Sequence, residues 1–458
     1  MNLSVRNKLS VMMFLEFFIW GAWLPLIFGY LPSLGFSNIE KAWVLNAFAL
    51  ASFTAMFFST QFADRNFAAE RFLAFSHLIG GLAILGLFFV QGFWPFFFLM
   101  LVHSLFYVPT ISITNSIAFA NLKDAQNDFG LVRLWGTIGW IAASWPFVFV
   151  MVDWAQVPAF GSVDVIEWLG KALGTAKTGE ALQEATRYTF VASGVASLLL
   201  AAFSLSLPHT PPKPAQAGDG QFAWLDSLKL LRSPFLLVLF AVTFFDSAVH
   251  QCYFMYTGDF LKSVGIPANW VMPVMSIGQF AEIGTMAVLG VCLKRLGWRV
   301  TMTIGILGHT VRFGIFALAP EPWLAVSVNV LHGICYAFYF ATVYIFVDEF
   351  LPKNSRSSAQ GLFNFLILGA GPFVGTFVWS YLGGRFKTVY LETPEKMSNL
   401  VMMLTQQDPY SQLISVPQVM ETGLDFRSLF LAPSLVALVA AAMLVLFFHP
   451  PKSAQPPH

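Results

Sequence analysis

Short polar stripes interrupt otherwise apolar stretches of this sequence, and each has the spacing of one helical face. Arg133, Thr137 and Trp140 stand at i, i+4 and i+7, which aligns a guanidinium, a hydroxyl and an indole. That stripe can hold a ribose and stack a base; with equal weight, Arg133 can snorkel to a membrane surface while Gly136 and Gly139 let helices pack closely. Gln279 and Glu282 lie three residues apart in the apolar run from Asn269 to Cys292, where a charged carboxylate is costly and a proton acceptor is well placed. The other reading of Glu282 is a structural ion pair with Arg312. Asp246, His250 and Tyr253 repeat the i, i+4, i+7 spacing with Gln251 one position round, so that an acid and an imidazole one turn apart can relay a proton. Glu16, Trp20 and Trp23 do so again and suggest a cavity wall, because a lipid-facing glutamate is prohibitively placed; Trp23 can equally be an interface anchor. Tyr336 and Tyr339, three apart, offer hydroxyls and flat faces to a ligand, or simply packing.

The elements that must carry these residues follow from the hydrophobicity around them. Of the 458 residues 57% are hydrophobic and 11% charged, against about 25% charged in a soluble domain. Hydrocarbon supplies no water to backbone amides, so a run of roughly 20 apolar residues must satisfy them internally as a helix. Twelve such runs are predicted, near 9–29, 39–62, 70–90, 94–120, 132–152, 187–207, 234–260, 268–292, 299–318, 321–350, 357–383 and 427–449. With both termini cytoplasmic, fourteen Lys and Arg fall in inner segments, whereas outside the two long outer loops the opposite side keeps Lys41 and Lys262. Residues 153–186 and 385–426 read as matching outer loops, and the Pro-rich opening of 208–232 as an inner linker. The expected organisation is an all-α membrane protein: an N-terminal six-helix bundle (1–207), the linker (208–232), a C-terminal six-helix bundle (233–449) and a cytoplasmic tail (450–458). Cys252, Cys292 and Cys335 sit in different apolar runs without metal-site spacing and read as buried thiols.

Two bundles of six joined by an inner linker is the plan of the major facilitator superfamily. Gly290, Lys294, Arg295, Gly297 and Arg299 resemble its G-x-x-x-D-R-x-G-x-R loop signature, with Lys294 at the aspartate position. Asp64 and Arg65, with Arg71, form a degenerate copy without the glycines at the same place in the first half. A narrower resemblance spans nearly the whole chain. Leu-Glu-Phe-Phe-Ile-Trp-Gly-Ala-Trp (15–23), Tyr-Val-Pro-Thr (107–110), Asn-Ser-Ile-Ala-Phe-Ala-Asn (115–121), Arg-Leu-Trp-Gly-Thr-Ile-Gly-Trp (133–140), Gly-Gln-Phe-Ala-Glu (278–282) and Ser-Ala-Gln-Gly (358–361) look like the bacterial nucleoside:proton symporter family. That resemblance implies substrate contacts at Arg133, Thr137, Gln251, Gln279 and Glu282. Two positions depart from the family pattern: a second polar partner of the base falls on Phe254, and an aspartate is replaced by Ala337.

No Gly-Lys-Ser/Thr phosphate loop, H-E-x-x-H or G-x-S-x-G elbow occurs, which disfavours ATP-driven transport and soluble hydrolase chemistry. The net charge of +1 gives no support for nucleic-acid binding. The reading is therefore a monomeric, multi-pass secondary transporter of the bacterial inner membrane, without cofactor or metal, taking up a nucleoside with protons through a midplane cavity. Glu282 is the first choice as proton carrier, with Asp246, His250 and Glu16 as others. A facilitator, a symporter of a sugar or another polar metabolite, a drug or metabolite exporter and a receptor without net flux are the alternatives.

Overall fold

The structure, a computed structural model of the chain, describes residues 4–58, 66–122, 125–212, 229–350, 362–391 and 420–450. Helices dominate it: α1 Val5–Ser33, α2 Asn38–Leu45, α3 Ala47–Phe58, α4 Ala69–Gly86, α5 Phe93–Asn121, α6 Ala125–Ser144, α7 Val165–Gly174 and α8 Gly179–Ser204 precede the linker. After it come α9 Pro234–Ser263, α10 Val271–Leu318, α11 Pro322–Ser327, α12 Val330–Cys335, α13 Thr342–Phe350, α14 Gly371–Arg385 and α15 Phe426–Phe447. Nine helical segments among the described residues are long and apolar enough to cross a membrane.

The predicted boundaries differ from these where a local feature intervenes. The 39–62 run breaks into α2 and α3 at Asn46, a buried residue whose Nδ2 donates to Phe373 O (3.4 Å). The 268–292 and 299–318 runs meet in α10 at Gly297, whose φ of 73° and ψ of 173° interrupt the helical backbone in a region that glycine tolerates best. This is the loop-signature glycine; Lys294, Arg295 and Arg299 around it are exposed, and Gly290 lies about two turns earlier in open space. Asp64 and Arg65 lie outside the described residues. The 385–426 segment contributes a strand pair, Lys387–Leu391 against Met420–Leu424, that helical patterning did not foresee. The 153–186 loop also carries a helix, α7, capped by Asp164, whose carboxylate accepts from Ile166 and Glu167 N–H.

Glycine sets how closely the helices approach. A Cβ on Gly139 of α6 would lie 2.1 Å from Phe14 O of α1, and one on Gly333 of α12 would lie 2.2 Å from Glu282 N of α10. Both crossings bring polar stripes to the middle of the molecule. Toward the end away from the termini, elements from before and after the linker touch: Trp43 meets Phe377 edge-on, with ring centroids 5.6 Å apart. There too, Leu173 O of α7 accepts from Asn269 Nδ2 (3.0 Å) and Trp270 Nε1 (2.9 Å). His209 and Thr210, just after α8, are tied to α4, where Glu70 accepts from His209 Nδ1 (2.8 Å) and Thr210 N–H (3.0 Å).

Candidate functional site

A cavity of about 550 Å³ lies between the helices before the linker and those after it, a volume within the usual range for a small-molecule site. It extends toward the end that bears the chain termini, where Phe119, Phe129, Tyr344 and Asn364 line it. Arg133, Thr137, Trp140, Gln251, Gln279, Glu282, Tyr336 and His250 all contribute to its wall, as do Trp20 and Trp23. Eight of the residues singled out by spacing are thus brought together from α6, α9, α10 and the turn after α12.

On one side the wall is aromatic. Trp20 stacks on Phe48 (4.9 Å, 10°) and meets Trp140 edge-on at 5.4 Å. The Arg133 guanidinium lies over the Phe17 ring at 3.9 Å and lines the cavity, so its charge is held by a π face rather than extended to a surface. Gly136 and Gly139 of the same helix press on α1; close packing and a polar cavity face therefore coexist on α6. On the other side lie amide and carboxylate groups. Gln251 donates from Nε2 to Thr376 Oγ1 (3.1 Å), while Gln279 Oε1, Asn115 Oδ1 and His250 Nδ1 have no hydrogen-bond partner among the described residues. Glu282 faces this space, and Arg133 is the cation whose field reaches it. The close crossing at Gly278 and Gly333 seats Gln279 and Glu282 beside His332 and Tyr336.

Three candidates turn away from the cavity. Glu16 is fully buried behind Trp20: its Oε2 meets His77 Nε2 at 2.9 Å, its Oε1 accepts from Thr110 Oγ1 at 2.8 Å, and its backbone carbonyl accepts from Tyr107 OH at 2.7 Å. Tyr339 is fully buried against α9, sharing a hydrogen bond with Thr243 Oγ1 (2.9 Å). The cause is a π-helical turn, Tyr336–Ala341, whose wider pitch takes residues three apart off a common face and aligns Tyr336, Phe340 and Tyr344 along the cavity instead. Ala337 is buried off the cavity as well. Asp246 lies behind the wall, fully buried, with His309 Nε2 3.7 Å from its Oδ1.

Arg312, expected opposite Glu282, is taken up elsewhere. Its guanidinium donates to His309 Nδ1 (2.8 Å) and His332 Nδ1 (3.0 Å) and lies 4.1 Å over the Tyr253 ring. Spacing along single helices could not reveal His77 and His332, because each finds its partner on a neighbouring helix; His309 meets Arg312 on its own helix, but its approach to Asp246 is across helices. The available signal was scarcity: the chain has eight histidines, and a histidine in an apolar run must find a polar neighbour.

The family model described as nucleoside H+ symporter matches residues 1–166 and 160–453. YegT of Escherichia coli is 34% identical over 381 residues, covering 81% of this chain and 83% of YegT. Xanthosine permease of the same bacterium is 27% identical over 393 residues, covering 82% of this chain and 87% of the permease. The crystal structure of nucleoside transporter NupG aligns over 98% of this chain and 100% of its own, with a TM-score of 0.73 at 22% identity. A bacterial homologue of the human lysosomal transporter Spinster aligns over 97% and 96%, with a TM-score of 0.63 at 16% identity. The fold is that of the major facilitator superfamily.

Proposed function

The chain belongs to the nucleoside H+ symporter family, a family of multi-pass transporters, and from that premise we propose that its central cavity binds a nucleoside and carries it, with a proton, across the bacterial inner membrane. The observation that carries this reading is the meeting of Arg133, Gln251, Gln279, Glu282 and Tyr336 around one cavity with Trp20 and Trp140. A ribose needs polar partners and a base needs flat faces, and both are within one volume. Arg133, Thr137 and Glu282 serve the hydroxyls; Gln251 and Gln279 read the base edge; Trp140 and Tyr336 flank it. Glu282 is where the proton meets the substrate.

The segments 1–207 and 233–449 rock about this cavity, joined by the 208–232 linker, with both termini cytoplasmic and the protein acting as a monomer. Uridine and adenosine should raise the melting temperature of the purified protein, because a ligand that binds the folded state stabilises it. In proteoliposomes, an acid-outside pH gradient should drive labelled nucleoside to accumulate above its outside concentration. Equilibration without accumulation would select the facilitator, the reading favoured by Ala337 at the family's aspartate position. Arg133→Ala should weaken nucleoside binding more than tenfold, about 1.4 kcal/mol. Glu282→Gln should abolish gradient-driven uptake and leave part of the binding.

A further inference from the structure

Behind the cavity wall, α9, α10 and α12 bury a polar cluster whose Asp246, His309 and Arg312 are not among the cavity-lining residues. Its two formal charges are Asp246 and Arg312, both fully buried. Arginine only donates, so His309 and His332 must each accept Arg312 with a bare Nδ1 and carry their proton on Nε2. The His309 Nε2–H therefore lies toward Asp246 Oδ1, 3.7 Å away and beyond hydrogen-bond length, and neither Asp246 oxygen has a hydrogen-bond partner among the described residues. A buried carboxylate is normally hydrogen-bonded; this one has room for a proton.

The cluster opens on the cavity through two rings. His250 and His332 line the cavity and stack on one another (4.8 Å, 23°), and His250 meets His309 edge-on at 5.5 Å. The remaining ionisable neighbours are Cys252 and Tyr253 on α9, Cys335 on α12 and Tyr339 on the π turn. Tyr253 is committed to Asn329 Oδ1 (2.8 Å) and Tyr339 to Thr243. The neighbouring helices α14 and α15 present Gly371, Gly375 and Ser434, none of them ionisable. No three His, Cys, Asp or Glu among the described residues are arranged to hold a metal ion.

We propose that Asp246 and His309 form a proton-binding site, reached from the cavity through His250 and His332 and balanced by Arg312, and that its occupancy couples the proton to substrate movement. The proposal rests on the symport reading. A proton arriving on Asp246 neutralises the carboxylate and leaves the Arg312 charge uncompensated directly behind His332. The wall that holds the substrate then differs between the two protonation states, which is what coupling requires. No bond other than O–H or N–H forms or breaks along this path.

The test uses the full-length protein in proteoliposomes with labelled uridine or adenosine, whichever the unaltered protein accumulates. Asp246→Asn mimics the protonated carboxyl permanently. It should lower gradient-driven accumulation at least tenfold while nucleoside exchange at equal pH stays within about twofold of the unaltered protein, a tenfold change being about 1.4 kcal/mol. Asp246→Glu should restore part of the accumulation. His309→Gln, with its melting temperature checked, should reproduce the uncoupling and decides the matter if Asp246→Asn does not fold. Accumulation by Asp246→Asn or folded His309→Gln at the unaltered level, or loss of exchange and accumulation in equal proportion, overturns the inference while leaving symport intact. Failure of the unaltered protein to accumulate nucleoside overturns the symport reading itself.

Discussion

Each half of the chain pairs an acid on its first long helix with a histidine two spans later, the two pairs being about 230 residues apart, but the pairs are completed differently. Glu16 is saturated: His77 and Thr110 hold its two oxygens, and Ser197 Oγ, 3.0 Å from His77 Nδ1, holds the far side of the imidazole. Asp246 has neither oxygen in a hydrogen bond among the described residues, and the far nitrogen of its histidine is held by a cation. Trp20 and Tyr107 shield the first pair from the cavity, whereas His250 and His332 connect the second to it. A fully bonded buried network adds rigidity, and a partly bonded one can change state. The same chemical pair can thus fix one half and make the other responsive.

That contrast can be broken experimentally, most sharply at the acids. Glu16→Ala should cost about 3–5 kcal/mol of stability, because it strands buried polar partners, and the folded remainder should keep the proton dependence of uptake. Asp246→Asn should do the reverse, with little change in thermal melting in detergent and lost coupling. Equal destabilisation by the two would erase the distinction. Gly297→Ala should cost about 1–3 kcal/mol through its positive φ, measured by melting. The smallest effect is at the tyrosines. Tyr107→Phe and Tyr253→Phe each remove one hydrogen bond, about 1 kcal/mol, yet the pH profile of uptake should shift only for Tyr253→Phe, since the lost bond to Asn329 releases the ring over which Arg312 lies.

Much of this architecture was legible in the sequence because hydrocarbon imposes one rule on every span. Apolar run lengths located most of the helices, and scarcity of polar residues picked out most of the polar groups on the cavity wall, including Arg133, Gln279 and Glu282. What spacing on one helix could not provide was the partner across helices. Asp246 was matched with His250 one turn away, yet its nearest imidazole is His309 on α10. Glu16 shares a stripe with Trp20 and Trp23, but α1 is apolar on all sides, so a stripe there does not reveal which side faces the cavity. Tyr339 was misplaced by the π turn, whose altered pitch has no signature in residue type. The helix in the 153–186 loop and the strand pair near residue 390 lie in polar segments where the membrane rule is silent.

The two hydrogen bonds that Leu173 O accepts from Asn269 and Trp270 lend that loop the character of a spring clip. At about 1 kcal/mol apiece the two together bias a two-state equilibrium by roughly 30-fold, a preference that ligand binding energy can overcome on every turnover. A reagent gripping α7 from its exposed face, where Val165 and Ile166 protrude, would therefore act as a brake on turnover without ever competing for the cargo.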